Sequence, residues 1–353
     1  MNEVIAMKGG GYYSLATLGA KHVIDGAMPL VLDAIAAMPD SREAFVFADM
    51  GTADGGTSRG LVERVVETVR RRWPGREIAL VYTDQPRNDF NALIANIHGQ
   101  APVDGVYPLF SATSFHRQIL PSGGLDHGFS ATAMHWLSAK PCDISDHVQA
   151  VGASGRELAA FARQGNADWQ AILLQRAREL RPGGRLVLVN FCRDEEGRYL
   201  GRTGGVDMFA TFNRLWQEQL ESETIGESEY RAMTLPQYYK DLGEFTGPLT
   251  DPGNPVHEAG LRLERAETRV VPCPFAAEFH RKGDAAAFAK AYIPTLRSWT
   301  ESTFFAGLDS TRPMAERRRI IDGYYAAYEQ RVREAPEGHG MDYVHAYLTI
   351  ARV

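Results

Sequence analysis

Residues Ala44–Thr57 read AFVFADMGTADGGT, and the fold turns on how this stretch is read. Phe45-Val46-Phe47-Ala48 is an apolar run without polar alternation, the pattern of a strand covered on both faces. It closes on Asp49, and Gly51, Gly55 and Gly56 then permit a tight turn into the helical pattern of Leu61–Val69. The glycine spacing is not that of a dinucleotide fingerprint, and no Gly-Lys-Ser/Thr ending marks a kinase loop. A carboxylate at a strand end suits a ribose hydroxyl or a cationic amino acid moiety better than a phosphate. The stretch therefore favours an adenosyl group carried without phosphates.

A second unit of the same kind follows. Ile78–Thr83 is a strand pattern ending at Asp84, and Asn88–Asn91 is a polar turn into Leu93–Ile97. Strand, helix, strand and a second acidic residue are the order expected of a ribose site at the carboxyl ends of a sheet. Trp169–Leu180 reads as a helix, Arg181–Gly184 as a turn and Arg185–Val189 as another buried strand. Leu15–Met38 predicts helices broken near Gly26–Pro29, and the Arg70-Arg71-Arg72 trio reads as a solvated helix end. The aromatic stripe of Asp207–Glu221 suits a packed core, and Phe275–Phe305 and Ser310–Arg333 suit further cap helices. Arg262–Val271 and Tyr343–Ile350 predict late strands. The expected architecture is α/β, one principal sheet with an added, mostly helical cap. Its core is discontinuous, residues 1–200 and 255–353, and the cap spans 201–254 and about 280–335.

Composition narrows the function classes. The chain has 353 residues, 44% of them hydrophobic, enough for a large core. Its 38 basic and 44 acidic residues give a formal charge of -6, so no global basic footprint recommends a nucleic-acid partner. Cys142, Cys192 and Cys273 are far apart and have no metal-ligand spacing, which argues against a disulfide framework or a zinc site. Met1–Val4 has no basic leader, and no later run approaches the roughly 20 apolar residues of a membrane span. The expectation is a cytoplasmic protein with no bound metal and no membrane partner.

Several segments carry candidate contacts. Met7–Ser14 joins three glycines to Tyr12 and Tyr13, a backbone able to fold closely over a ligand with flat apolar surface beside it. Phe115, after Ser114, is suited to cover an adenine face. Trp136 combines an apolar body with an indole donor that can orient an oxygen acceptor.

Taken together, Met7–Ser14, Ala48–Gly56, Asp84–Asn91, Ser114-Phe115, His135–Ser138, Leu180–Val189 and Leu235–Tyr239 resemble the plant-type SABATH family of S-adenosylmethionine-dependent carboxyl methyltransferases. The resemblance reaches across most of the chain. It implies a Rossmann-like class I methyltransferase sheet, S-adenosylmethionine as cofactor, a small carboxylic acid as substrate and a homodimer. By the same resemblance Asp49 is the motif carboxylate, Gly51 its turn glycine and Asp84 the ribose carboxylate, with Gln85 standing where an apolar residue is common. Ser14, Ser114 and Phe115 fall around the cofactor, Trp136 holds a substrate carboxylate oxygen, and His135 falls at a variable pocket position. The family's Ser-Tyr-Ala-x-Asn-Ser-x-x-Gln motif is Ser14–His22 here, so His22 is expected to replace the amide donor. The implied chemistry is direct methyl transfer from sulfonium to an oxygen of an apolar or aromatic acid. N-methylation of a xanthine-like heterocycle, a noncatalytic adenosyl-ligand sensor and a nicotinamide-dependent dehydrogenase are the alternatives.

Overall fold

The computed structural model describes residues 17–41, 43–99 and 103–353. Met7–Ser14, and with it the expected contact of Ser14, lies outside them. In chain order the elements are α1 (Leu18–Ala36), β1 (Phe45–Met50), α2 (Arg59–Arg72), β2 (Ile78–Thr83), α3 (Phe90–His98), β3 (Val106–Ser111) and β4 (Leu125–Ala131). They continue with α4 (Gly155–Glu179), β5 (Leu180–Phe191), α5 (Met208–Glu221), α6 (Glu227–Ala232), α7 (Leu242–Thr250), α8 (Pro255–Glu258), β6 (Leu261–Val271), α9 (Pro274–Lys282), α10 (Ala285–Gly307), α11 (Met314–Glu334) and β7 (Tyr343–Arg352).

The seven strands form one sheet in the order β3-β2-β1-β4-β5-β7-β6. Neighbours from β3 to β5 run parallel, and β7 is antiparallel to both β5 and β6. Period-two alternation divides the two cores. Phe45, Phe47, Phe129, Val187 and Val189 face α1, α2 and the cap, whereas Ala48, Met50, Leu186 and Leu188 face α4, α7 and α8. The direction of winding reverses between β1 and β4, which opens a crevice at their carboxyl ends.

Two strands escaped the sequence pattern for physical reasons. β3 is an edge strand with alternating exposure, so Pro108, which has no N–H to give a ladder, is tolerated there. β4 is buried along its whole length yet reads Leu-Asp-His-Gly-Phe-Ser-Ala. Two of its polar residues are met locally: Asp126 pairs with Arg76 at 3.0 Å and accepts from the Val46 N–H at 2.8 Å, and the Ser130 hydroxyl donates to the Met50 carbonyl at 2.7 Å.

Other boundaries also differ from expectation. The break near Gly26–Pro29 does not occur: α1 runs through Pro29, because Val23, Ala27, Leu30, Val31 and Ala34 on its buried face hold the helix on the sheet. The Arg181–Gly184 turn is absorbed into β5, where the register against β4 shifts between Leu125 and His127. Trp169 of α4 donates its indole N–H to the Phe245 carbonyl at 3.0 Å, and Phe245, Leu249 and Val256 belong to the sheet's second core. Helices α5, α10 and α11 pack on one another. Phe212 meets Tyr328 edge-on at 5.3 Å, Trp216 meets Phe304 at 5.1 Å, and the Tyr324 hydroxyl donates to the Phe212 carbonyl at 3.0 Å. The stripe of α5 is thus core. Among the described residues, no helix is long and apolar enough to cross a membrane.

His127, His135 and His345 are buried neutral in this frame. Burial pushes His127 and His135 down to about 3, and His345 well below the ordinary imidazole range. Their folded values lie below the unfolded value of about 6.5, so the stability they protect is complete above that pH and is lost as pH falls below it. His127 stacks on Phe47 at 5.5 Å, and neither of its ring nitrogens has a hydrogen-bond partner. His127→Phe is expected to keep the packing and to flatten the acid limb by up to about 1.4 kcal/mol per pH unit between pH 6 and 4. Urea unfolding of both proteins across that range checks this, and parallel limbs would refute it.

Candidate active site

At the end of β1 the chain turns at Gly51, with φ +81°. A Cβ there would stand 2.5 Å from the Ala133 Cβ, so the turn requires glycine for its conformation and for its space. Ala53 is also left-handed, at φ +52°. Its N–H donates to Asp84 Oδ2 at 2.8 Å and its carbonyl accepts from Asn88 Nδ2 at 2.7 Å, which offsets the strain.

Asp49 is 3% exposed. The hydroxyls of Ser58 and Thr52 donate to its Oδ2 at 2.6 and 2.9 Å, and Oδ1 receives neither. Burial raises its pKa from 3.8 to about 6; the two hydroxyls oppose that rise and the nearby Asp84 adds to it. Asp84 is raised as well, first by burial, with the Ala53 and Gln85 N–H groups working against it. Such carboxylates are suited to a cationic ammonium and to ribose hydroxyls, which restore the solvation that burial removes.

Ser114 and Phe115 follow β3, and Phe115 is 7% exposed, its ring facing the Gly51 turn. Asp49, Gly51, Asp84, Gln85, Ser114 and Phe115 therefore meet at the carboxyl ends of β1, β2 and β3. Beyond β4, Thr132 (φ +56°) turns the chain into His135 and Trp136. These three line a pocket with Thr17, Phe191, Leu200, Tyr239, Trp299, Met341 and Tyr343. His135 packs edge-on against Phe191 at 4.7 Å and Tyr239 at 5.8 Å. The Trp136 indole N–H donates to no described residue. The Thr132–Trp136 segment is shared by this pocket and by the Gly51 turn, so the two ligand spaces adjoin.

His22 is not brought to the pocket. Gly19, Ala20, Val23, Ile24 and Ala27 form the buried face of α1, and His22 projects from the exposed one. Its expected role as the amide replacement is corrected accordingly. Sequence reasoning missed Thr52 and Ser58, although their hydroxyl positions just past the motif were a usable signal. It also missed the wall made by Thr132, Phe191, Met341 and Tyr343, which no local pattern announces.

The reversal point of a 3-2-1-4-5-7-6 sheet, with an acidic residue at the end of each of two adjacent strands, defines a class I S-adenosylmethionine-dependent methyltransferase. A family model described as SAM dependent carboxyl methyltransferase matches residues 2–350, and the chain belongs to that family. The O-methyltransferase acrG of Aspergillus aculeatus is 26% identical over 99% of this chain and 96% of its own length. The salicylate carboxymethyltransferase of Clarkia breweri is 29% identical over 72% of this chain and 75% of its own. A solved structure of loganic acid methyltransferase with SAH superposes with a TM-score of 0.79 over 98% of both chains at 20% identity, which shows the fold. This protein is an enzyme that uses S-adenosylmethionine to methylate carboxyl groups.

The raised Asp49 sets a pH dependence. Above about pH 6 the carboxylate is charged and can balance an ammonium; below it the proton competes. S-adenosylhomocysteine affinity is expected to hold from pH 8 to 6.5 and then to weaken by about tenfold per unit below pH 6. Titration calorimetry across that range checks it, and Asp49→Asn should abolish the dependence along with most of the affinity.

Proposed function

We propose that the enzyme converts a small monocarboxylic acid with an apolar or aromatic body into its methyl ester, and that Trp136 holds one oxygen of the acid. The observation that carries this is the Trp136 indole N–H, which donates to no described residue, at a pocket walled by Phe191, Leu200, Tyr239, Trp299, Met341 and Tyr343, beside the Gly51 turn. Asp49 would hold the cofactor's cationic amino group and Asp84 its ribose, with Gly51, Gln85, Ser114 and Phe115 around the remainder.

When bound, S-adenosylmethionine supplies an electrophilic methyl group on sulfonium. The acid needs no strong base, because carboxylic acids are ionised at neutral pH. His135 accordingly has no proton to move: burial keeps it neutral, and it shapes the pocket rather than acting as an acid. What the walls contribute is orientation and the exclusion of water, which leaves the carboxylate more nucleophilic than in solution. The names of the Aspergillus and Clarkia relatives support oxygen rather than nitrogen as the acceptor. A homodimer is supported by family membership alone. A cytoplasmic setting is supported by three cysteines that are all free.

Labelled S-adenosylmethionine with a panel of acids and purine-like heterocycles tests the reaction, because an ester label is released by base and a ring N-methyl label is not. Trp136→Phe keeps the wall and removes the donor, so kcat/KM for the acid should fall by about 10- to 100-fold, the value of a hydrogen bond to a charged group. The S-adenosylhomocysteine Kd should stay unchanged. Full turnover by that variant across an acid titration would sink the assignment of Trp136.

A further inference from the structure

Helix α4 contributes no residue to the lining of the Trp136 pocket, yet among the described residues it carries the most heavily bonded buried charges. Arg176 and Glu179 are 0% exposed. The Arg176 guanidinium donates twice to Glu179, at 2.7 Å each, and also to the carbonyls of Phe115 at 3.0 Å and Arg117 at 2.8 Å. Glu179 Oε1 in turn accepts from the backbone N–H groups of Ile119 and Leu120. Apart from an Nη1 contact to the Met50 sulfur at 3.5 Å, every contact outside the pair goes to the backbone of the 115–120 segment.

Two turns earlier on the same helix, Asp168 makes the same kind of grip on the other loop. It is 8% exposed, and its carboxylate takes the Ser138 N–H at 2.8 Å and the Ser138 hydroxyl at 2.6 Å, with Gln164 Nε2 adding a third bond at 3.0 Å. Ser138 lies two residues beyond Trp136. The eight residues from Asp168 to Arg176 advance about 12 Å along a helix that does not stretch. Between the two grips lies His116, whose ring packs on Phe115 at 4.8 Å and lies in the fields of both Asp168 and Arg176.

A buried ion pair is a weak source of net stability, because desolvation offsets most of its attraction. Its bonds do fix geometry. We propose that Asp168 and the Arg176–Glu179 pair are positioning residues, and that α4 sets the placement of the Trp136 loop relative to the Phe115 loop and so aligns acceptor with donor. This rests on the roles given above to Phe115 and Trp136. Since misplacement by about 1 Å can cost 100-fold in rate, loosening either grip should reduce turnover more than binding.

The test uses Asp168→Asn, which removes the charge and leaves one acceptor oxygen where Ser138 and Gln164 now share two, with Ser138→Ala as the milder variant should the first fold poorly. Saturating kcat is expected to fall about tenfold or more for Asp168→Asn, with the S-adenosylhomocysteine Kd within about threefold of wild type. Ser138→Thr, which keeps the hydroxyl, should restore most of what Ser138→Ala loses. A second readout needs no turnover. In wild type, S-adenosylhomocysteine should slow amide exchange in residues 114–120 and also in 134–138, whereas in Asp168→Asn protection should stop at the first segment. Wild-type kcat in both variants, or unchanged spread of protection, overturns the proposal. Inactivity of the wild type on every acid, with the spread of protection as stated, would instead overturn the acid reading and leave the role of α4 standing.

Discussion

A carboxylate buried at the end of a central parallel strand is the constraint on which the rest of the site depends. Raising Asp49 from 3.8 to about 6 corresponds to roughly 3 kcal/mol of stability lost at neutral pH. Ser58 and Thr52 reduce that loss without removing it. The fold therefore holds a charge that water no longer solvates, at a position where a cationic ligand can take over from water. The left-handed turn at Gly51 and Ala53 follows directly after Asp49, packed so closely against Ala133 that residue 51 has no room for a Cβ.

The two ligand spaces are built on different principles. The cofactor end is polar, local and assembled from strand ends whose spacing the sheet register dictates. The end proposed for the acid is apolar and collected from distant parts of the chain: Thr132 after β4, Phe191 at the end of β5, Tyr239 before α7, Trp299 in the middle of α10 and Tyr343 at the start of β7. Variation in acid preference can thus arise in the cap and the last strand without disturbing the Asp49 turn.

That contrast explains how much was legible beforehand. β1, β2 and the core of β5 are apolar runs, and the acidic residues and glycines that follow them are adjacent in sequence, so the fold class and the gathering of those residues at the strand ends could be read directly. β4 could not, since Asp126, His127, Gly128 and Ser130 hide a central strand in which Asp126 is paired by Arg76, Ser130 by the Met50 carbonyl, and His127 is stacked on Phe47. The misassignment of His22 came from aligning a short motif without the helical phase, which turns that residue away from the face carrying Val23 and Ala27. The acid pocket has no local signature, because its walls meet only after folding.

The place of β7 has a consequence for how the enzyme comes into being. β7 lies between β5 and β6, antiparallel to both, so β6 has no neighbour to join until Tyr343–Arg352 has left the ribosome. The nascent chain can assemble its parallel half early, but β6 must wait as an unsatisfied strand through the synthesis of α9, α10 and α11, a state prone to wrong pairing. Met341 and Tyr343 arrive with that last strand and complete the wall of the acid pocket. Closure of the sheet and completion of the acid-binding wall are then a single late event, so a ribosome-bound chain lacking this segment has neither.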